Sequence, residues 1–301
     1  MAAITHEHAP DTPHKMERIQ NQPNRSWIAR LLLYLLVIAI GIVFFMPFIL
    51  AAIGSFKTSS EITAYPPHWL PAHWLFQNWI DTWNTDLGQG ATFPRWLLNT
   101  AFLSVTIAVL QTLFCSMAAY AFARLKFPGR DLTFSFMLGT MMIPSAVTLI
   151  PAFVLMGKLH LLNTFWSLIL PGLVSAGSIF MLTQFFRSVP LELEEAAIID
   201  GASQFQTYKD VLLPLSRPAL LTVFILQFQS MWNSFLQPLL YLTSPDKWVL
   251  NVALSIFQQQ YKAQWNLTLV GAMFNAIPIL LLFFVFSRYY IEGVSFSGLK
   301  G

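Results

Sequence analysis

Six long runs of this chain contain no Asp, Glu, Lys, Arg or His: residues 31–56, 96–123, 132–157, 161–186, 218–245 and 263–287. A helix that crosses the hydrocarbon layer needs about 20 mostly apolar residues, and each run supplies them. The pattern predicts an all-α, multi-span membrane protein with six transmembrane helices. The first run is too long for the apolar core of a cleavable secretory signal, which is about 7 to 15 residues. It therefore reads as an uncleaved helix, despite the small residues Ala51 and Ala52 near its end.

The punctuation between the runs gives the organisation. Residues 1–26 are polar, with Pro10, Pro13 and Pro23, and read as a disordered cytoplasmic tail. Residues 27–57 hold the first span, and residues 58–94 form an outer segment that predicts a short helix plus loops. Residues 95–290 form a core with spans two to six and a cytoplasmic loop at 188–217, and residues 291–301 form a C-terminal tail. Cytoplasmic loops of membrane proteins carry the excess of Lys and Arg. Twelve of the 17 such residues fall on one side: Lys15, Arg18, Arg25, Arg30, Arg124, Lys126, Arg130, Arg187, Lys209, Arg217, Arg288 and Lys300. That side, which includes both termini, is the cytoplasm.

Composition narrows the function. Hydrophobic residues make up 55% and charged residues 10% of the chain, and the net charge of +3 is scattered, so nucleic acid is not expected as a partner. One cysteine, Cys115, excludes an intrachain disulfide and reads as a small buried apolar group. Eight of the ten tryptophans fall on the outer side, where a lipid belt and a docking partner both suit them. The spans lack the titratable groups that proton-coupled transport or intramembrane proteolysis would need. No phosphate-binding glycine loop is present, because Gly157-Lys158 is followed by Leu159 with no glycine five residues upstream. No catalytic residue and no metal site is expected; His6, His8 and His14 read as tail residues, and His68, His73 and His160 as solvated loop residues. Prolines 47, 144, 151, 171, 238 and 278 each free a backbone carbonyl inside a run, which fits a moving pathway and a static bundle equally.

The most informative stretch is residues 188–217. Pro190 suits a first helical turn, and Glu192, Glu194 and Glu195 place negative charge at the positive end of that helix, a role that needs no catalysis. Gly201 can end the helix in the left-handed conformation, Ser203 with Gln206 makes a capping box that starts the next, and Pro214 stops it. Ala196, Ala197 and Gly201 are small enough to let a protein groove approach closely, beside Ile198, Ile199 and Ala202. An acidic helix is poorly suited to an anionic lipid surface, so protein docking is the better reading.

Glu195-Ala196-Ala197, then Gly201, Val211 and Leu213-Pro214, at this position before the penultimate span, resemble the EAA signature of permease subunits of bacterial binding-protein-dependent ABC importers. The departure is Val211, where the family usually has isoleucine. Met231 to Leu239 is similar to a segment of carbohydrate importers. Tyr289 to Gly293 with Gly298 to Gly301 looks like the tail of the second permease subunit in maltose and glycerol-phosphate systems. The resemblance covers residues 27–301. It implies the type I ABC importer transmembrane fold in a bacterial inner membrane, and one half of a sugar pathway. Implied at an ATPase contact are Glu195, Ala196, Ala197, Asp200, Gly201, Leu213 and Pro214. Implied partners are a sister permease, a cytoplasmic ABC ATPase dimer that carries ATP and Mg, and an extracytoplasmic solute-binding protein, with no cofactor on this chain. In the fifth span, Gln227, Ser230, Ser234, Gln237 and Tyr241 recur with helical spacing as a polar stripe beside Asn233, and Trp232 offers a ring face on which a sugar could stack. They could equally act as glue between helices. A polyol or glycerol phosphate is the alternative solute, and a non-conducting assembly or sensor protein is the alternative role.

Overall fold

The computed structural model describes residues 27–88, 90–260 and 264–295, with the side chains of all but 28, 257–260 and 287–295. The 1–26 tail with its three histidines, and residues 296–301, lie outside the described residues. Two compact units divide the chain, residues 1–49 and residues 50–301. The described part of the first is helical, in α1 (Trp27–Gly54), whose final turn belongs to the second unit. An 18-residue stretch of this helix has a mean hydropathy of 2.9, and the helix continues unbroken through Pro47. Apolar residues on every side of a helix suit contact with hydrocarbon.

The second unit is helical throughout its described residues, apart from turns and one isolated antiparallel bridge between Asp86 and Thr92. Two short helices follow α1 in the 58–94 segment: α2 (Ser59–Ile62), opened by a Thr58/Glu61 capping box, and α3 (Gln77–Trp83). The longest helix is α4 (Phe93–Arg124), and α5 (Arg130–Thr140), α6 (Ser145–Lys158), α7 (Trp166–Gly172) and α8 (Ala176–Ser188) come next. The 188–217 loop contains α9 (Glu192–Ile199), α10 (Gln204–Gln206), a π-helical turn (Thr207–Leu212) and α11 (Leu213–Leu215). The remainder is α12 (Arg217–Trp232), α13 (Leu236–Tyr241), a 3-10 turn (Pro245–Lys247), α14 (Leu250–Gln260) and α15 (Trp265–Ser295).

Among the described residues, four helical stretches are long and apolar enough to cross a membrane, and the number rises to six if each of two bent pairs is one span. The bends correct the expectation of simple rods. In the third span α5 and α6 meet at 99°. Pro144 stands at this corner with extended backbone, since its ring disfavours helix in the preceding residue and its nitrogen cannot bond to Thr140. The fifth span breaks at 233–235, where Pro238 cannot bond to the carbonyl of Ser234 and its ring would crowd that carbonyl. The fourth run divides at 173–175 into α7 and α8, and α14 is an additional helix in a stretch expected to be loop. Backbone helix continues to Ser295, into the segment expected to be a tail.

Within the second unit, α12 and α8, with smaller contributions from α7 and α14, pack on α4. Its buried residues Trp96, Asn99, Thr100, Leu103, Ser104, Ile107, Ala108, Gln111, Cys115, Ser116, Ala119 and Tyr120 recur every three or four positions, the spacing of one helical face. Small members of the series let neighbouring helices approach closely. Phe228 and Trp232 pack on Ala108, while Ile179, Leu182 and Phe186 of α8 cluster with Cys115, Ala119 and Tyr120. Cys115 is fully buried as expected, but its Sγ also accepts a hydrogen bond from the Ser175 N–H at 3.4 Å, at the break between α7 and α8.

The N-terminal end of α4 holds the turn before α14. Trp96 Nε1 donates to the Pro245 carbonyl at 2.9 Å, and Asn99 Nδ2 donates to the carbonyls of Asp246 and Trp248 at 2.9 and 3.0 Å. Thr100 Oγ1 accepts from the Leu250 N–H at 2.7 Å, so a side chain of one helix caps the start of another. Trp96 is thus a core anchor rather than a member of the outer aromatic belt, whereas Trp69, Trp74, Trp166 and Trp265 are exposed. Asn163, with φ of 60°, accepts from the Thr243 and Ser244 N–H groups and pins the other side of the turn. Asn99→Leu, which leaves two carbonyls without their donor, should lower stability by about 1 to 3 kcal/mol. Thermal unfolding of the purified protein in detergent measures this loss.

Candidate functional site

The 188–217 loop adopts the local structure its residues dictate. Gly201 has φ of 89°, a left-handed conformation that ends α9, and no atom lies near the position a β-carbon would take. Ser203 Oγ accepts from the Gln206 N–H, and Gln206 Oε1 accepts from the Ser203 N–H at 2.7 Å, completing the capping box. Pro190 lies just before α9 rather than within its first turn. Pro214 does not end the helical path: the chain widens into the π turn before it, with the Leu213 N–H bonded to the Tyr208 carbonyl, and bends only at Ser216. Such widened turns relieve the missing donor of a proline by shifting the ladder one residue.

Three glutamates open α9, and one departs from the simple dipole reading. Glu194 is buried and paired with Arg124 at the end of α4, Nε to Oε1 at 2.5 Å, with side-chain exposures of 7% and 6% for Arg124 and Glu194 respectively. Arg124 also donates to the Val189 carbonyl at 2.8 Å. The other two glutamates are exposed. Of the residues expected at an ATPase contact, Glu195, Ala196, Asp200 and Gly201 are exposed, and Ala197 and Leu213 are half-buried. Pro214 is exposed. Ile199 is 86% exposed at the tip, an unusual place for a large apolar side chain on a helix bounded by charge.

The loop's inner side is bound to α4 through groups that were not singled out in the sequence. Tyr120 Oη donates to Gln204, to its carbonyl at 3.1 Å and its Oε1 at 2.8 Å, and the hydroxyls of Ser116 and Tyr208 bond at 2.7 Å. The available signal was the spacing: Ser116, Tyr120 and Arg124 stand four apart, one polar line at the C-terminal end of the span.

The polar stripe of the fifth span is not one continuous face, because the break at 233–235 interrupts the helical register. Before it, Gln227 is half-buried and Ser230 exposed; after it, Gln237 is exposed. Asn233 and Ser234 lie in the break itself, Asn233 donating to the Gln229 carbonyl at 2.9 Å. Trp232 is buried, stacks on Phe228 with centroids 5.4 Å apart, and donates Nε1 to the Asn275 carbonyl at 3.0 Å. Its ring is already used by the protein and is not open to a sugar in this conformation. Tyr241, the last of the stripe, is also buried.

The two neighbouring glutamates should respond differently to truncation. Glu194→Ala strands the Arg124 charge in a buried place and should cost about 3 to 5 kcal/mol. Glu195→Ala, on the exposed face, should stay within about 0.5 kcal/mol of the parent. Paired melting curves in detergent distinguish them.

Comparison with known proteins accounts for this arrangement. The family model described as "binding-protein-dependent transport system inner membrane component" matches residues 111–292, which include the loop, both helices of the fifth span and most of α15. An arabinooligosaccharide transport system permease protein of Halalkalibacterium halodurans is 37% identical, over 71% of this chain and 76% of its own. A diacetylchitobiose uptake system permease protein of Streptomyces coelicolor is 32% identical, over 93% of this chain and 92% of its own. In three dimensions the chain is similar, with a TM-score of 0.75 and 24% identity over 90% of its length, to all of a chain in a bacterial ABC transporter involved in alginate import. The fold is therefore that of an ABC importer permease, and the chain belongs to the family of binding-protein-dependent transport system inner membrane components.

Proposed function

We propose that this chain forms one half of the translocation pathway of an ATP-driven importer for a sugar or oligosaccharide, with a sister permease supplying the other half. The observation that carries the reading is α9: its Glu194 is turned inward to Arg124, while Glu195, Ala196 and Ile199 face outward as a free, small-residue surface. A helix fixed on one side and bare on the other suits a protein groove, here that of a cytoplasmic ATPase dimer. ATP and Mg belong to that dimer, and this chain contributes no catalytic residue and binds no cofactor. The basic loops put both termini in the cytoplasm. An extracytoplasmic solute-binding protein docks on the outer segment 58–94 or the stretch from 244 to 262. The solute class follows from relatives named for oligosaccharide uptake and from the uncharged amides and hydroxyls at 227–237, which can exchange hydrogen bonds with sugar hydroxyls.

Two substitutions test the two ends of this reading. Gly201→Val forces a branched side chain into a left-handed turn, at about 1 to 2 kcal/mol of local strain, and adds bulk at the groove. Solute-stimulated ATP hydrolysis and uptake by the assembled complex should both fall by about tenfold or more; unchanged rates would remove the docking reading. Gln237→Leu deletes an exposed amide from the pathway and should weaken apparent solute affinity about five- to tenfold in uptake assays, the worth of one hydrogen bond. An unaltered affinity would place the solute contacts elsewhere.

A further inference from the structure

We propose that α4 is a stiff connecting rod that carries displacement of the 188–217 loop to the outer turn at residues 245–250. The inference rests on the coupling role proposed for that loop. At its cytoplasmic end α4 is tied to the loop by Ser116 to Tyr208, Tyr120 to Gln204, and Arg124 to both Glu194 and Val189. These bonds reach the first helix, the second helix and the π turn, so no part of the loop can shift far without taking α4 along. Tyr208 and Leu212 are buried against Cys115, Ala119 and the α8 residues, which adds apolar packing to the same join.

At its outer end α4 holds the Pro245–Leu250 stretch by the four hydrogen bonds of Trp96, Asn99 and Thr100. The two sets of ties, from Asn99 to Tyr120, are about 32 Å apart at 1.5 Å per residue. What lies between them is stiff. Of the three helices longer than 25 residues among the described residues, α1 contains Pro47 and α15 contains Pro278, while α4 has its only proline at its start. It also has no glycine. Sharp kinks arise at proline, at glycine and serine pairs or at π bulges, and the interior of α4 holds none of these. The fifth span, which could serve as a parallel route, is interrupted at 233–235 and bent by 78° at Ser216. A push delivered at α9 therefore reaches the outer face through α4.

Ser116, Tyr120 and Arg124 are positioning residues in this account, and they touch neither solute nor nucleotide. The test uses the whole complex in lipid nanodiscs, with a spin label on Thr243→Cys, an exposed residue beside the outer turn; Cys115 is buried and stays unlabelled. Three readouts are compared: the label's response to ATP, the rate of hydrolysis, and solute imported per ATP. The double variant Ser116→Ala with Tyr120→Phe removes two hydroxyls and no bulk. It should assemble and hydrolyse ATP near the parent rate, while the label response and the import-to-hydrolysis ratio fall about five- to tenfold, as two lost buried hydrogen bonds would give. Arg124→Lys, which keeps the charge beside Glu194, should retain more of the ratio than Arg124→Gln. A double variant with the parent's label response and ratio overturns the rod while leaving the importer reading intact. A parent complex whose hydrolysis does not respond to solute overturns the coupling reading, and the rod with it.

Discussion

Hydrocarbon offers no hydrogen bonds, so each polar atom on a buried helical face must find a protein partner or bear the cost of having none. The inward face of α4 meets this constraint mainly towards its two ends. Asn99, Thr100, Ser116, Tyr120 and Arg124 bond outward to other elements, and Thr112 bonds back to the Ala108 carbonyl. Together the outward bonds fix the turn before α14, the π turn and the two helices of the 188–217 loop. Gln111, 2% exposed near the middle, has its Oε1 unpaired, as has the Ser104 hydroxyl. The polar ties thus gather at the two ends of the helix, and its centre is held by close packing.

The Arg124–Glu194 pair belongs to a different energetic class from those neutral bonds. Taking two charges out of water costs several kcal/mol per ion before their attraction returns any of it. The pair is weak grounds for stability but a strong constraint on geometry, because separation would leave two buried charges. Arg124 meets the constraint with a second bond to the Val189 carbonyl, so the guanidinium grips α9 and the strand of chain entering it. The exposed glutamates of the same helix are under no such restriction. One short helix therefore has a fixed side and a free side, as a part that transmits force between two bodies requires.

The sequence made the spans legible because hydrophobic runs are long and nearly charge-free, and it made the loop's turns legible because Gly201, Ser203 and Gln206 act through their own backbone and near neighbours. Local chemistry is read locally. The corners at Pro144 and Pro238 were marked by the prolines, yet whether a helix bends or merely kinks there depends on packing that no single run contains: α1 passes Pro47 unbroken. The Arg124–Glu194 pair joins residues 70 apart, and nothing in either segment names the other. At Trp232 the ring is occupied from two directions. An indole at a polar stripe suggests a stacking surface, but the carbonyl of Asn275 arrives from α15, and the ring of Phe228, one turn back on α12, covers the indole face.

The right-angled corner between α5 and α6 bears on the bilayer itself. Their 11 and 14 residues make rods of about 16 and 21 Å. Axes that diverge by 99° cannot both follow the membrane normal. Shared equally, the bend tilts each by about 50°, and together they then cover only about 24 Å of a hydrocarbon layer about 30 Å thick. Residues 141–144 at the elbow supply the rest without regular helix. Met142, at 85% exposure, stands there. Hydrocarbon leaves no partner for unbonded backbone, so a corner of this kind needs protein neighbours or a wet cavity beside it.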